Sequence, residues 1–500
     1  MHLVSPLGLS PARWNGRSVE LSAGLVIDGE VRTGDLPPYP VTNPVDPDEV
    51  VLQAPAASSA QLDAAIAAAH RAQRRWATLS FDERAAQVAA AARHAGAVVE
   101  QLDLARLLTR EHGKVLWESQ FDTGTLGGMA DAFVPLAARA ISTELLGDST
   151  TVQRVPHGVV GAIIPFNWPV AIFGNKVLPA LLAGNAVIAK APPTCPGALL
   201  ATAAALAGEL PPGLVNVVNG PGDDLGRELV AHPGVDMVTF TGGVAGGRSV
   251  MSLASQATKP VVLELGGNDP AILMSDLVVD DAFADRLAAA AFTTAGQVCM
   301  AVKRVYVPST LLADVVDALA ARLETEVVGD GLRPEVTMGP VHTAAGRDRA
   351  EGLLNQARSA GARVVRPASV HAADAGRGGW LVPPAIVVDP PADSDIVTTE
   401  QFAPVLPIIS YRDVEDALAQ ANDSSFGLCA SIWAADDEVA ADLAGRLEAG
   451  TVFVNGHGMA AMDHVAPFGG WKASGFGQEL GAEGMSAFTR VRVVRRAPGT

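Results

Sequence analysis

A glutamate stands inside an apolar strand. In KPVVLELGGNDP, residues 259–270, Val261, Val262, Leu263 and Leu265 call for burial, yet Glu264 sits among them. A carboxylate withdrawn from water is costly unless it is paired, solvated or neutralised. A strand end where Glu264 reaches water or caps a backbone group would explain it without chemistry; a catalytic carboxylate is the alternative. Two more residues pose the same choice. Cys299, in AFTTAGQVCMAV, is of a type ordinarily just buried. Gly296 and Gln297 are expected to break the preceding helix and leave it in a loop, where a nucleophilic thiolate with pKa-lowering donors would have to sit. Asn167, in PFNWP, reads either as a turn residue or as an amide able to donate to a developing oxyanion.

Glycines add a third kind of chemistry. LVNVVNGPGDDLG is a strand followed by Gly220, Gly222 and Gly226, and VTFTGGVAGG is a strand followed by Gly242, Gly243, Gly246 and Gly247. Both runs open a helix, where backbone can approach a phosphate and unpaired N–H groups can meet it. Neither is G-x-G-x-x-G, and plain tight turns account for each as well.

These residues need elements to hold them. Five hundred residues exceed one ordinary core and suggest two or three domains. Half are hydrophobic and 18% charged, which excludes whole-chain disorder. A formal charge of −18 makes nucleic acid and anionic membrane surfaces poor partners. Three cysteines (Cys195, Cys299, Cys429) do not form a disulfide framework, so a reducing, cytoplasmic setting is expected. The opening MHLVSPLGLSPARWNGRSVE lacks the pattern of a signal peptide. Residues 158–175 carry no charge, but Pro165 and Pro169 flank Asn167, so a buried strand ending in a proline-bounded turn is expected rather than a membrane helix.

Ser58 with Gln61 and Ser80 with Glu83 are capping-box patterns that start helices. From AVIAK onward, strands and helices alternate with short links through PVVLEL, and a second series runs from AILM to TVFVNG. The fold class is therefore α/β, with two doubly wound parallel-sheet domains. PASVHAADAGRGGW reads as a surface excursion.

Taken in order, PFNWP, AVIAKAPPTCP, FTGG, LELGGNDP, GQVC, EQFAPVLP and PFGGWKASGFGQELG make the chain resemble the aldehyde dehydrogenase superfamily from about residue 25 to 495. The resemblance implies a Rossmann-like cofactor domain (1–136 and 157–265), a catalytic domain (266–484), and a small β-hairpin oligomerisation element (137–156 and 485–500). It places Cys299 at the nucleophile, Asn167 with the Cys299 N–H at the oxyanion, and Glu264 at the general base. Lys176 and Glu479 match positions of proton relay or structural support. Lys190, Gly222, Gly226, Phe240 and Gly243 match the adenosine and pyrophosphate surroundings, and Glu400 and Phe402 the nicotinamide ribose and ring. Two positions depart from the family. Pro193 replaces a glutamate that often binds both ribose hydroxyls, which removes a barrier to NADP without selecting it. Gly243 replaces a common serine. The implied cofactor is NAD or NADP, with family habit favouring NAD.

The implied reaction is oxidation of an aldehyde to the acid through a cysteine thiohemiacetal, hydride transfer, and hydrolysis of a thioester. Rivals are acyl transfer to coenzyme A, which Glu264 argues against, and a catalytically retired structural or binding protein. Trp168, Asn175, Val298, Met300 and the loop HGMAAMDHVA are expected around the substrate. No arginine stands beside these motifs, which points to a neutral aliphatic or aromatic aldehyde. The implied assembly is a homodimer or homotetramer through TELLGDSTTVQRV and TRVRVVRR, whose basic residues also suit an unpaired strand edge.

Overall fold

The computed structural model describes residues 23–496; the signal-peptide reading and residues 497–500 of the expected oligomerisation element lie outside that range. The first β-α alternation builds a sheet in which Val215–Val218, Ala186–Lys190, Val159–Ile163, Met237–Thr241 and Val261–Glu264 lie side by side in that order, all parallel. These strands are buried almost throughout, as runs covered by helices on both faces must be. The hairpin Leu25–Ile27 and Glu30–Arg32 closes one edge antiparallel, and Gly475–Phe476 closes the other.

Chain order reverses between Val159–Ile163 and Met237–Thr241. Strands step outward to one side of Val159–Ile163, then restart on the other. Such a switch point opens a crevice at the strand carboxyl ends, where open α/β sheets bind ligands. Asn167 follows one of these strands, Gly242 and Gly243 follow the next, and Glu264 ends the third.

The second sheet runs Arg363–Val365, Ala385–Val388, Val405–Tyr411, Val302–Pro308, Asp269–Leu273, Cys429–Trp433 and Thr451–Val454, parallel except at the first pair. A third sheet pairs Glu144–Leu146, Thr150–Pro156 and Thr489–Arg495 antiparallel. Thr489–Arg495 is bonded on one side only, and Leu145, Val491 and Val493 are exposed on this sheet.

Local signals act where they were read. Both capping boxes form, starting helices Ser59–Trp76 and Phe81–Gln101. The uncharged run 158–175 is the strand Val159–Ile163, a turn, and the start of helix Pro169–Leu182, whose first turn tolerates Pro169 because that N–H has no helical partner.

Four readings need correction. The helix before Cys299 ends at Phe292, not at Gly296: Thr294 and Ala295 adopt left-handed backbone at φ 55° and 53° in a short 3₁₀ turn. The 266–484 segment does not stay with the second sheet, because Gly475–Phe476 joins the first sheet and Phe468 and Leu480 enter the first core. The boundary at 137 cuts helix Leu126–Ala140, whose Ala137 belongs to that core. Residues 367–380 are more than a surface excursion: Ser369–Val370 pairs with Val327–Val328, and the fully buried Asp374 accepts from Arg333, Arg377 and the Asp330 N–H.

Asn185 ties the C-terminal segment to the first domain. Fully buried, it accepts from the Gly158 N–H at 2.9 Å and donates to the carbonyls of Ala180 at 3.0 Å and Phe488 at 2.9 Å. Asn185→Leu strands the Gly158 N–H and the Phe488 carbonyl, while the Ala180 carbonyl keeps the backbone N–H of residue 185, and should lower unfolding free energy by about 2 kcal/mol, read from urea denaturation; an unchanged midpoint would show that these bonds contribute nothing.

Candidate active site

Asn167, Glu264 and Cys299, far apart in sequence, line one cavity of about 810 Å³, open mouth included, at the switch-point crevice. Glu479 lines it too. Buried side-chain atoms without a protein partner gather here: Asn167 Oδ1, Trp168 Nε1, Asn175 Oδ1, Thr241 Oγ1 and both Glu264 oxygens. Buried polar atoms are nearly always hydrogen-bonded, so such a concentration marks a place where water or the reacting group of a ligand supplies the partners.

Cys299 follows the left-handed turn and keeps partial exposure as a residue. Burial of its sulfur pushes the thiol up to about 12; the charge of Lys303 opposes this, while Glu400, Glu264 and Asp269 add to it. Lys303 Nζ donates to the carbonyl of Val298 at 2.9 Å and to that of Cys299, and stands 3.7 Å from Glu400. One N–H of the Asn167 amide is held by the Gln297 carbonyl at 3.1 Å, which orients the other, and its backbone carbonyl accepts from Lys114 Nζ at 2.6 Å.

Glu264 is the last residue of its strand, in register with Thr241. Its oxygens are shielded from bulk solvent and accept from no protein group, so a strand end reaching bulk water or capping a backbone group does not account for it. Burial first, then the charge of Glu479, raise its carboxyl well above the ordinary range, against the pull of Lys176. Lys176, fully buried, pairs with Glu479 and donates to Thr239 Oγ1 at 2.9 Å. A proton on Glu264 therefore has a charged pair beside it.

Of the remaining named residues, Lys190 ends a strand of the first sheet, and Gly222 and Gly243 follow two others. Lys190 ends its strand, donates to the Gly222 carbonyl at 3.2 Å, and is lowered to about 8 by burial, with Asp223 opposing. Pro193 presents its carbonyl to Tyr39 Oη at 2.9 Å. Gly222 takes φ 67°, and Gly226 lies inside helix Asp224–Ala231, against Ile163. The Phe240 ring fills the space where a Cβ at Gly242 would come within 2.5 Å. Gly243 caps helix Val244–Ser255 with no side-chain bond and open space around it, leaving the helix N–H groups for an anion. Glu400 accepts from the Gly267 N–H at 3.0 Å, and Phe402 meets Phe166 edge-on at 6.0 Å. The donor set fits a dinucleotide in kind: an uncapped helix end for phosphate, with a lysine and a carboxylate for its polar groups.

Lys303, Thr239 and Lys114 escaped the reading of the sequence, and Gln297 was read only as a helix breaker; no local pattern announces what they hold. Val298 corrects an expectation: it is buried in the core and does not line the cavity, whereas Trp168, Asn175, Met300, Met459 and Met462 do.

The sequence profile of the aldehyde dehydrogenase family matches residues 31–494. The chain is 38% identical over 458 residues to geranial dehydrogenase of Castellaniella defragrans, covering 89% of this chain and 93% of the relative. It is 35% identical to succinate-semialdehyde dehydrogenase [NADP(+)] of Escherichia coli, covering 90% and 93%. Betaine aldehyde dehydrogenase of Staphylococcus aureus in complex with NAD+ superposes at a TM-score of 0.88 with 28% identity, covering 94% of each chain.

A thiol held near 12 is protonated at neutral pH, and only the thiolate attacks. Alkylation of Cys299 by iodoacetamide in the free protein should therefore climb about tenfold per pH unit from about pH 7 to about 10 without levelling. Lys303→Met should slow it further at every pH; a plateau below about pH 9, or no effect of Lys303→Met, would contradict this electrostatic reading.

Proposed function

The chain belongs to the aldehyde dehydrogenase family and oxidises aldehydes to carboxylic acids with NAD(P)+; we propose that it does so on a neutral, apolar aldehyde, with Cys299 as nucleophile, Asn167 as oxyanion donor and Glu264 as general base. The observation that carries the proposal is the convergence of these three side chains on one cavity.

Cys299 Sγ attacks the carbonyl carbon after losing its proton, and the Lys303 charge favours that loss. The carbonyl oxygen becomes an alkoxide. Asn167's free amide N–H and the Cys299 backbone N–H receive it; losing one such donor typically costs ~10²–10³ in rate. The chemistry supplied by the bound nicotinamide is acceptance of the hydride that the collapsing alkoxide expels. Cys299 then carries the acyl group as a thioester. Glu264 takes a proton from the attacking water, and the acid leaves. Its raised proton affinity makes it a strong base but keeps it protonated at rest. It must first release its own proton, for which Glu479 and Lys176 offer a route. Deacylation therefore quickens as pH rises.

Lys190, with the Gly222 and Gly243 backbone, is assigned to the adenosine and phosphate end, and Glu400 with Phe402 to the nicotinamide end. Pro193 offers no carboxylate against a 2′-phosphate, but Asp223 stands near Lys190, which supports NAD over NADP. The cavity wall supports the substrate class: Phe121, Met129, Trp168, Ile172, Met459 and Phe468 line it, and neither lysine nor arginine does. Arg286 reaches only the outer vestibule, beside Asp285.

The three-stranded sheet, with its exposed valines and free edge, is assigned to a homodimer or homotetramer contact; a single-chain mass by light scattering would contradict that. Among the described residues no helix is long and apolar enough to cross a membrane. A cytoplasmic location fits three unpaired cysteines, and recovery outside that compartment on fractionation would contradict it.

An aldehyde panel tests the substrate reading. Neutral aliphatic or aromatic aldehydes should exceed a carboxylate-bearing semialdehyde in kcat/KM by about 10²-fold, with NAD above NADP. The product should be free acid whether or not coenzyme A is added. Preference for the semialdehyde would overturn the substrate class, and an acyl-coenzyme A product would overturn the role of water.

A further inference from the structure

The helix Leu116–Gly124 is inside out. Its buried face carries Glu118, Ser119, Asp122 and Thr123, while Trp117 and Phe121 are exposed. The two aromatics face the outer vestibule, and Phe121 meets Trp168 edge-on at 5.9 Å. The apolar side is thus spent on the substrate entrance, and two carboxylates spaced i, i+4 are turned into the protein.

Each carboxylate holds a different part of the site. Asp122 Oδ1 accepts from the Ala171 N–H at 2.7 Å, at the start of the helix behind Asn167, and Oδ2 accepts from Lys114 Nζ at 3.0 Å. The same ammonium donates to the Asn167 carbonyl at 2.6 Å and lies 3.9 Å above the Trp168 ring. Glu118 Oε1 accepts from the N–H of Thr294, and Oε2 from that of Val115 at 3.2 Å. Thr294 is the β-branched residue forced into left-handed backbone just before Cys299, a conformation such residues avoid unless it is held. Lys114 and Asp122 are both fully shielded from solvent. A buried pair of this kind is a poor source of stability and a good source of fixed geometry.

The two backbone segments gripped in this way are those that carry the two oxyanion donors. We propose that Lys114, Asp122 and Glu118 are positioning residues: through one short helix they set the distance between the Asn167 amide, on the first domain, and the Cys299 N–H, on the second. The inference rests on the oxyanion role of Asn167. Binding of cofactor and folding do not require the spacing; formation of the tetrahedral adduct does.

The test is a double-mutant cycle. Lys114→Met with Asp122→Asn removes both charges together, leaves an oxygen for the Ala171 N–H, and keeps similar volume. In this variant kcat for aldehyde oxidation should fall by about 10²-fold, with the thermal midpoint and NADH binding (by fluorescence) unchanged. In an Asn167→Ala background the same pair should cost less than about threefold more, because its effect passes through Asn167. Lys114→Arg alone, which keeps charge and donors, should stay within about fivefold of the parent. A full loss repeated in the Asn167→Ala background, or no loss in the parent, would overturn the positioning role. An Asn167→Ala enzyme that keeps its kcat would instead overturn the oxyanion reading beneath it. If the paired variant does not fold, Lys114→Gln with Asp122→Asn, which also removes both charges but retains one donor for the Asn167 carbonyl, carries the same comparison.

Discussion

Desolvation governs this site. The thiol of Cys299 and the carboxyl of Glu264 both sit where water is scarce, and burial is the largest influence raising each. In water the thiol would lose its proton more readily and the carboxyl would be a weaker base. Out of water, each small displacement of a nearby charge carries far more weight. The protein answers with three buried lysines around the cavity, each beside one carboxylate: Lys303 with Glu400, Lys176 with Glu479, Lys114 with Asp122. Each ammonium also donates to an uncharged oxygen: a loop carbonyl, the Thr239 hydroxyl, or the Asn167 carbonyl. Charges are thereby placed where the reaction needs them and prevented from wandering.

That placement depends on the fold at one point. Reversal of strand order beside Val159–Ile163 brings Asn167, Thr241 and Glu264 to adjacent strand ends. The second domain delivers Cys299 from the turn before Val302–Pro308, and the C-terminal segment crosses back to pair with the Glu264 strand and bring Glu479 to Lys176. The Lys176–Glu479 pair thus joins residues separated by most of the chain. The site exists only when both domains and the returning segment are assembled.

Much of this was legible in the sequence. Alternating β and α patterns gave both parallel sheets, because a strand buried on two faces leaves an unbroken apolar run. Ser58 and Ser80 marked helix starts because a capping box is local. Glu264 drew notice because its neighbours are apolar. What stayed hidden is what distant partners determine. The helix before Cys299 ends at Phe292, ahead of Gly296, and the left-handed Thr294 just beyond it donates its N–H to Glu118, far up the chain. Lys114 precedes a segment with acids at helical spacing, and burial of that face has no local sequence signal. Val298, apolar beside the nucleophile, looked like pocket wall and is core.

The covalent intermediate decides the matter. In Glu264→Gln, activation of water is removed while the steps before it remain, so acid-quenched enzyme exposed to aldehyde and NAD+ should carry the acyl mass on the peptide containing Cys299, near one equivalent per site and formed together with NADH. The intact enzyme under the same quench should show far less. NADH formed without any acyl group on Cys299, or an acyl group carried elsewhere, would contradict the chemistry assigned to this cavity.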